Sequence, residues 1–172
     1  MSDKSFDVVI YGATGFTGKL VVEYVLNQYG NDESITWAMA GRSYEKLIAV
    51  RDGLGVSNDV ALLTVDSNDE SSVAEMVKQT ECVLTTVGPY QLYGPSIVKQ
   101  CAATGTDYVD LCGEPGWMHE MINKHAEQAK ETGARIVFSC GFDSIPFDLG
   151  VYFLQKEVIA QHGKPVSNVR GR

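Results

Sequence analysis

The run GATGFTG, Gly12 to Gly18, carries the residue types and spacing that dinucleotide chemistry needs. It follows an apolar stretch, Phe6 to Tyr11, and precedes a helical pattern that places Leu20, Val21, Tyr24 and Val25 on one face. Strand, glycine turn and helix form the setting of a phosphate-binding loop. Gly12 permits the tight turn out of the strand, and Gly15 leaves room where backbone meets a pyrophosphate. Gly18 lets the helix pack closely on the sheet. Ala13, Thr14, Phe16 and Thr17 complete the loop, and the free N–H groups of the helix start attract phosphate. A tight turn that binds nothing is the plainer reading of the same glycines.

The next apolar run, Ile35 to Ala40, ends in AGRS. An NAD-specific protein usually places a carboxylate there for the ribose 2′-hydroxyl. This chain instead has Arg42, whose planar, permanently charged fork suits a 2′-phosphate. Ser43 adds a hydroxyl and can cap the following helix, which turns Tyr44, Leu47 and Ile48 inward. The cofactor expected is therefore NADP, with NAD the lesser alternative. A solvated surface arginine is the other reading of Arg42.

Further chemistry must come from the carboxyl ends of the remaining strands, where open α/β sheets bind ligands. Asp66 either accepts from an adenine amino group or caps a helix. Val87, Gly88, Pro89 and Tyr90 pass close to the expected nicotinamide ribose, with Tyr93 beyond them. The two tyrosines wall a pocket, donate a proton, or simply pack with a satisfied hydroxyl. Glu114 and Asp143 stand on the same rim, as substrate-pocket candidates or as helix caps. No spacing singles out a catalytic residue. Ser139, Tyr152 and Lys156 imitate the serine–tyrosine–lysine set of short-chain dehydrogenases, but the serine ends the sixth strand rather than the fifth.

These residues need a scaffold, and the chain alternates regularly. Strands are expected at Val60–Val65, Cys82–Val87, Tyr108–Cys112 and Arg135–Cys140, after the first two. The intervening helices place Val73, Met76 and Val77 together, then Ile97, Val98 and Cys101, then Trp117, Met121, Ile122 and His125. Gly105 and Gly133 stop the latter two helices. Six strands alternating with helices predict an α/β fold, a doubly wound parallel sheet. A last helix, from about Phe147, is apolar nearly all round, which predicts cover on more than one side.

Composition narrows the class. The 172 residues suffice for one domain with a real core. A net charge of −8 without a Lys/Arg cluster argues against a nucleic-acid partner. No apolar run spans a bilayer, and MSDKSFD is not a signal peptide. Cys82, Cys101, Cys112 and Cys140 show no CxxC pair, and the three histidines lack ligand spacing. Reduced thiols, no metal and a cytoplasmic location are expected.

FDVVIYGATGFTG, MAGRS with Lys46-Leu47, VGPYQLYGPSIVKQCAATGTDYVDLCGE and GFDSIPFDLG together resemble the saccharopine dehydrogenase-like oxidoreductases, a group that includes the mycobacterial trans-acting enoyl reductases. The resemblance spans Phe6 to about Leu154, and its block from Val87 to Glu114 is far more specific than the glycine loop. It implies a Rossmann domain with a nicotinamide cofactor. Gly12, Thr14, Gly15, Phe16 and Thr17 would form the phosphate loop, and Arg42 the 2′-phosphate contact. Gly88, Pro89 and Tyr90 would face the nicotinamide half. It also implies a second α/β domain that this sequence lacks. The expected division is a cofactor domain over 1–160 and the start of a substrate or dimerisation domain over 161–172. The function expected is hydride transfer between NADP(H) and a C=C, C=O or C=N acceptor in a small-molecule or lipid-like substrate. By itself the chain should be inactive and prone to homo-oligomerise. A non-catalytic NADP sensor or interaction module is the alternative.

Overall fold

A computed structural model describes residues 4–30, 32 and 34–171. Residues 1–3, 31 and 33 of the expected 1–160 segment, and residue 172 of the expected 161–172 segment, lie outside the described residues. Six strands form one parallel sheet: β1 (Phe6–Tyr11), β2 (Trp37–Gly41), β3 (Ala61–Thr64), β4 (Thr80–Thr85), β5 (Asp107–Asp110) and β6 (Ile136–Val137). Their order is β3-β2-β1-β4-β5-β6, the doubly wound arrangement. The chain reverses direction across the sheet between β1 and β4. There Val9 pairs with Ala38 on one side and Val83 on the other.

Among the described residues, seven helices connect and follow the strands: α1 (Phe16–Tyr29), α2 (Tyr44–Leu54), α3 (Glu70–Lys78), α4 (Tyr90–Tyr93), α5 (Pro95–Thr104), α6 (Pro115–Thr132) and α7 (Ile145–His162). Alternation along the strands divides the core in two. Val9, Tyr11, Ala38, Ala40, Val83 and Tyr108 face α3, α5 and α6, where Met76, Ile97 and Trp117 are buried. Ile10, Trp37 and Met39 face α1 and α2, against Val22, Leu47 and Val50. Central strands of such a sheet are apolar on both faces, and this explains their unbroken runs of Val, Ile and Ala.

Several local expectations are corrected. Leu20 and Tyr24 on α1 are 51% and 60% exposed, while Gly18 and Val22 make the buried contact. The helix is rotated because Gly18, with no side chain, is the residue that fits against the turn after β1. Tyr44 on α2 and Ile122 on α6 also face outward. The strand expected at Cys82–Val87 lies two residues earlier. The strand expected at Arg135–Cys140 shrinks to two residues, since Ser139 adopts a left-handed φ of 59° that no ladder accommodates. The short α4 lay unrecognised in the sequence.

The largest correction concerns α7. The all-apolar pattern predicts cover on several sides, yet none of its residues is buried. Phe147, Tyr152 and Phe153 are more than half exposed. The tail folds back along part of it, where Val166 exchanges two hydrogen bonds with the Gln155 side chain. The sheet face next to α1 is also open: Leu111 and Val137 are exposed, and Leu84 and Val109 are half-buried.

Candidate functional site

The glycine turn lies at the carboxyl end of β1, beside the ends of β2 and β4. Gly12 has φ 94°, and its N–H donates to the Ala40 carbonyl at 2.9 Å. A Cβ on Gly12 would stand 2.7 Å from Thr86 Oγ1 and 2.8 Å from Val87 Cγ2, so both backbone conformation and space demand glycine. Ala13 is buried beneath the turn, and a Cβ on Gly18 would collide with the Gly12 carbonyl.

Gly15 differs from both. Its φ of −76° suits any residue, and a Cβ would meet only the Gly12 oxygen, at 3.3 Å. As the N-cap of α1 it supplies no side chain to the first-turn N–H groups. Gly15 and Phe16 are exposed, and Phe16 is 84% accessible. An exposed, uncapped helix start with a bare backbone approach fits a pyrophosphate. The first turn also lacks an acidic side chain that would repel one.

Arg42 stands exposed just after β2, and no hydrogen bond or ion pair links its guanidinium to another described residue. Ser43 caps α2 by accepting from Lys46 N–H at 3.3 Å, and its hydroxyl donates to Glu45 at 2.9 Å. The Thr14 side chain lies against Gly41, within 3.6 Å of a Cβ built there, so loop and strand end adjoin. Asp66 is exposed beyond β3 and accepts from Asn68 N–H and from its side-chain amide, both at 3.0 Å. The cap of α3 is Asp69, not Asp66. Ser67 is buried next to Asp66, and burial holds the Tyr11 hydroxyl above its ordinary pKa.

At the other end of the crevice, Val87 is half-buried while Gly88 and Pro89, joined by a cis peptide, are exposed. Tyr90 is 6% exposed, and its hydroxyl donates to the Thr85 carbonyl at 3.2 Å and accepts from Leu111 N–H at 3.4 Å. Burial pushes its pKa up. Its ring packs 5.7 Å from that of Trp117, so this tyrosine is a packing residue with a satisfied hydroxyl. Tyr93 is half-buried on α4. The Glu114 carboxylate accepts from the N–H groups of Tyr90 and Gln91.

A cleft of about 510 Å³ opens between α1 and the ends of β4, β5 and β6. Thr17 and Val21 line one wall, Leu84 and Val109 the floor, and the 140–144 loop with Phe142 and Asp143 the other wall. Asp110, 3% exposed, braces this loop by accepting from Tyr108 OH at 2.7 Å, Ser139 N–H at 2.8 Å and Cys112 N–H at 3.0 Å. Burial lifts the Cys112 thiol to about 11 and raises Cys140 as well, which keeps both protonated near neutrality. Ser139 spends its hydroxyl on the Cys112 carbonyl at 2.6 Å, and Tyr152 projects from the exposed α7.

Reasoning from sequence missed Thr86 and Asp110, and met Ser139 only as the serine of an imitated catalytic set. A carboxylate inside the apolar run YVDLC was the one available signal for Asp110. Thr86 carried none, because its role depends on contacts with a distant segment.

Comparison with known proteins agrees with this geometry. Residues 8–137 match the saccharopine dehydrogenase NADP binding domain. A Mycobacterium tuberculosis protein provisionally named a trans-acting enoyl reductase is 51% identical over 152 residues, which is 88% of this chain and 36% of the relative. A lipid droplet localized protein of Caenorhabditis elegans is 48% identical over 157 residues, again 88% of this chain and 36% of the relative. The chain thus spans about a third of the length of these curated relatives. Its fold superposes on saccharopine dehydrogenase (L-Glu forming) from Saccharomyces cerevisiae with a TM-score of 0.70 at 19% identity, covering 92% of this chain and 32% of that one. The chain belongs to the saccharopine dehydrogenase NADP-binding domain family, and NADP(H) is the cofactor of its Rossmann domain.

Proposed function

We propose that this chain is the cofactor-holding part of an NADP-dependent oxidoreductase. Residues 1–160 would hold the dinucleotide, and 161–172 would lead into a substrate or dimerisation domain. The observation that carries the reading is the uncapped, exposed start of α1 at Gly15, with the unpaired Arg42 guanidinium at the neighbouring strand end. The first supplies N–H groups for a pyrophosphate, and the second supplies charge for a 2′-phosphate.

The roles follow from position. Gly12 through Gly18 hold the pyrophosphate, with Thr17 reaching the cleft. Arg42 and Ser43 take the 2′-phosphate, and Asp66 borders the adenine. Val87, Gly88, Pro89 and the backbone of Tyr90 border the nicotinamide ribose. When bound, NADP(H) would exchange a hydride with a C=C, C=O or C=N group of the substrate. The cleft that receives the acceptor is lined by Val21, Leu84, Val109, Leu111 and Phe142, which favours an apolar body. The relatives' names, an enoyl reductase and a lipid droplet localized protein, support a lipid-like substrate. Asp143 stands at the cleft mouth as a polar contact for such a substrate.

Cover over the open sheet face and α7 would come from a further domain or a second copy. Either would exclude water from the cleft. No helix among the described residues is long and apolar enough to cross a membrane, and a cytoplasmic location accords with the free cysteines. The test is titration with NADPH and NADH, followed by nicotinamide fluorescence. Saturable binding with a clear preference for NADPH is expected, and no binding of either refutes the reading. Turnover by a longer protein containing this domain separates an enzyme from a non-catalytic sensor.

A further inference from the structure

Glu114 is the N-cap of α6, yet its side chain makes no capping bond to that helix. It reaches across to α4 instead. Tyr90 N–H donates to Oε1 at 2.7 Å, and Gln91 N–H donates to Oε2 at 2.9 Å, across 24 and 23 residues of sequence. Two charge-assisted bonds to one carboxylate fix orientation as well as distance.

This clamp belongs to a longer chain of bonds. The Tyr90 hydroxyl bridges the Thr85 carbonyl and Leu111 N–H, so residues 85–91 are tied to 111–114 at both ends. On the opposite side, Thr86 N–H donates to the Tyr11 carbonyl at 2.9 Å. The segment Val87-Gly88-Pro89 is suspended between these anchors, with Gly88 and Pro89 turned outward. Val87 lies beside the glycine turn, where a Cβ on Gly12 would stand 2.8 Å from its Cγ2.

We propose that Glu114 is a positioning residue for the nicotinamide half of the cofactor, which it serves by locking α4 and the Val87–Pro89 segment in place. The inference rests on the cofactor reading above. Glu114 touches neither substrate nor cofactor in this role. It acts through the backbone of Tyr90 and Gln91.

The experiment compares two probes on the full chain: NADPH, and adenosine 2′,5′-bisphosphate, which lacks the nicotinamide half. Glu114→Ala should weaken NADPH binding by about tenfold or more, because a misplaced loop forfeits oriented contacts. It should leave the bisphosphate within about twofold. The fluorescence shift of bound nicotinamide should shrink as well. Glu114→Gln keeps one acceptor oxygen and should fall between the wild type and the alanine variant. If the alanine variant does not fold, the glutamine variant decides by the same split. Equal loss of both probes, or no loss of either, overturns the positioning role. Wild-type protein that binds neither probe fails the cofactor reading itself, and the positioning role falls with it.

Discussion

The Thr86 hydroxyl lies 3.3 Å from the Gly12 carbonyl oxygen, tying the end of β4 to the turn that follows β1. The two strands are sheet neighbours although 74 residues separate the partners. Gly12→Ala should therefore fail twice, by backbone strain at φ 94° and by collision with Thr86 and Val87. A loss of about 1–3 kcal/mol is expected. Denaturant melts check this, and an unchanged midpoint would contradict it.

Gly15→Val should behave differently. The φ at Gly15 is ordinary and a Cβ would press only on the Gly12 carbonyl oxygen, at 3.3 Å, so the variant should fold with a modestly lowered melt. The isopropyl group would occupy the backbone approach to the pyrophosphate, and NADPH binding should vanish. A folded variant that binds normally would place the phosphates elsewhere.

Arg42→Ala should cost NADPH about 1.5–3 kcal/mol of binding, as expected for a charged hydrogen-bonding group. NADH affinity should hardly change. Equal losses for both cofactors would remove Arg42 from 2′-phosphate recognition. The contrast should also shrink in high salt, because the side chain is exposed.

Acid should act partly through Asp7. Thr36 N–H donates to its carboxylate at 2.7 Å and the Thr36 hydroxyl at 2.8 Å, and these bonds hold the Asp7 pKa below the ordinary value of 3.8. A depressed folded-state pKa contributes stability that is fully present above the unfolded value and lost as pH falls through the folded one. The Asp7→Asn variant should therefore show a shallower stability loss below about pH 4 than the wild type. Parallel pH profiles from thermal melts would show that this site contributes nothing.

Exposed α7 should make the isolated chain self-associate, since large apolar patches seek partners. Serine substitutions at Phe147 and Phe153, which are 56% and 65% exposed, should reduce the scattering mass without lowering the melting temperature. A monomeric wild-type chain would contradict this.

Local features were legible in the sequence because their causes are local. The bounds of β1, the glycine stops at Gly105 and Gly133, the Ser43 cap and the buried trio Val73, Met76 and Val77 all follow from residue type and periodicity. Alternation of strands and helices sufficed for a parallel, doubly wound sheet, since right-handed crossovers leave few other arrangements. Only tertiary structure decided what joins distant segments. It turned Glu114 toward Tyr90, buried the Tyr90 ring against Trp117, and closed Asp110 onto Ser139. It also left α7 uncovered, although its composition alone demands burial. A side chain's type says which bonds it can make, while the packing of remote elements determines which partners come within reach.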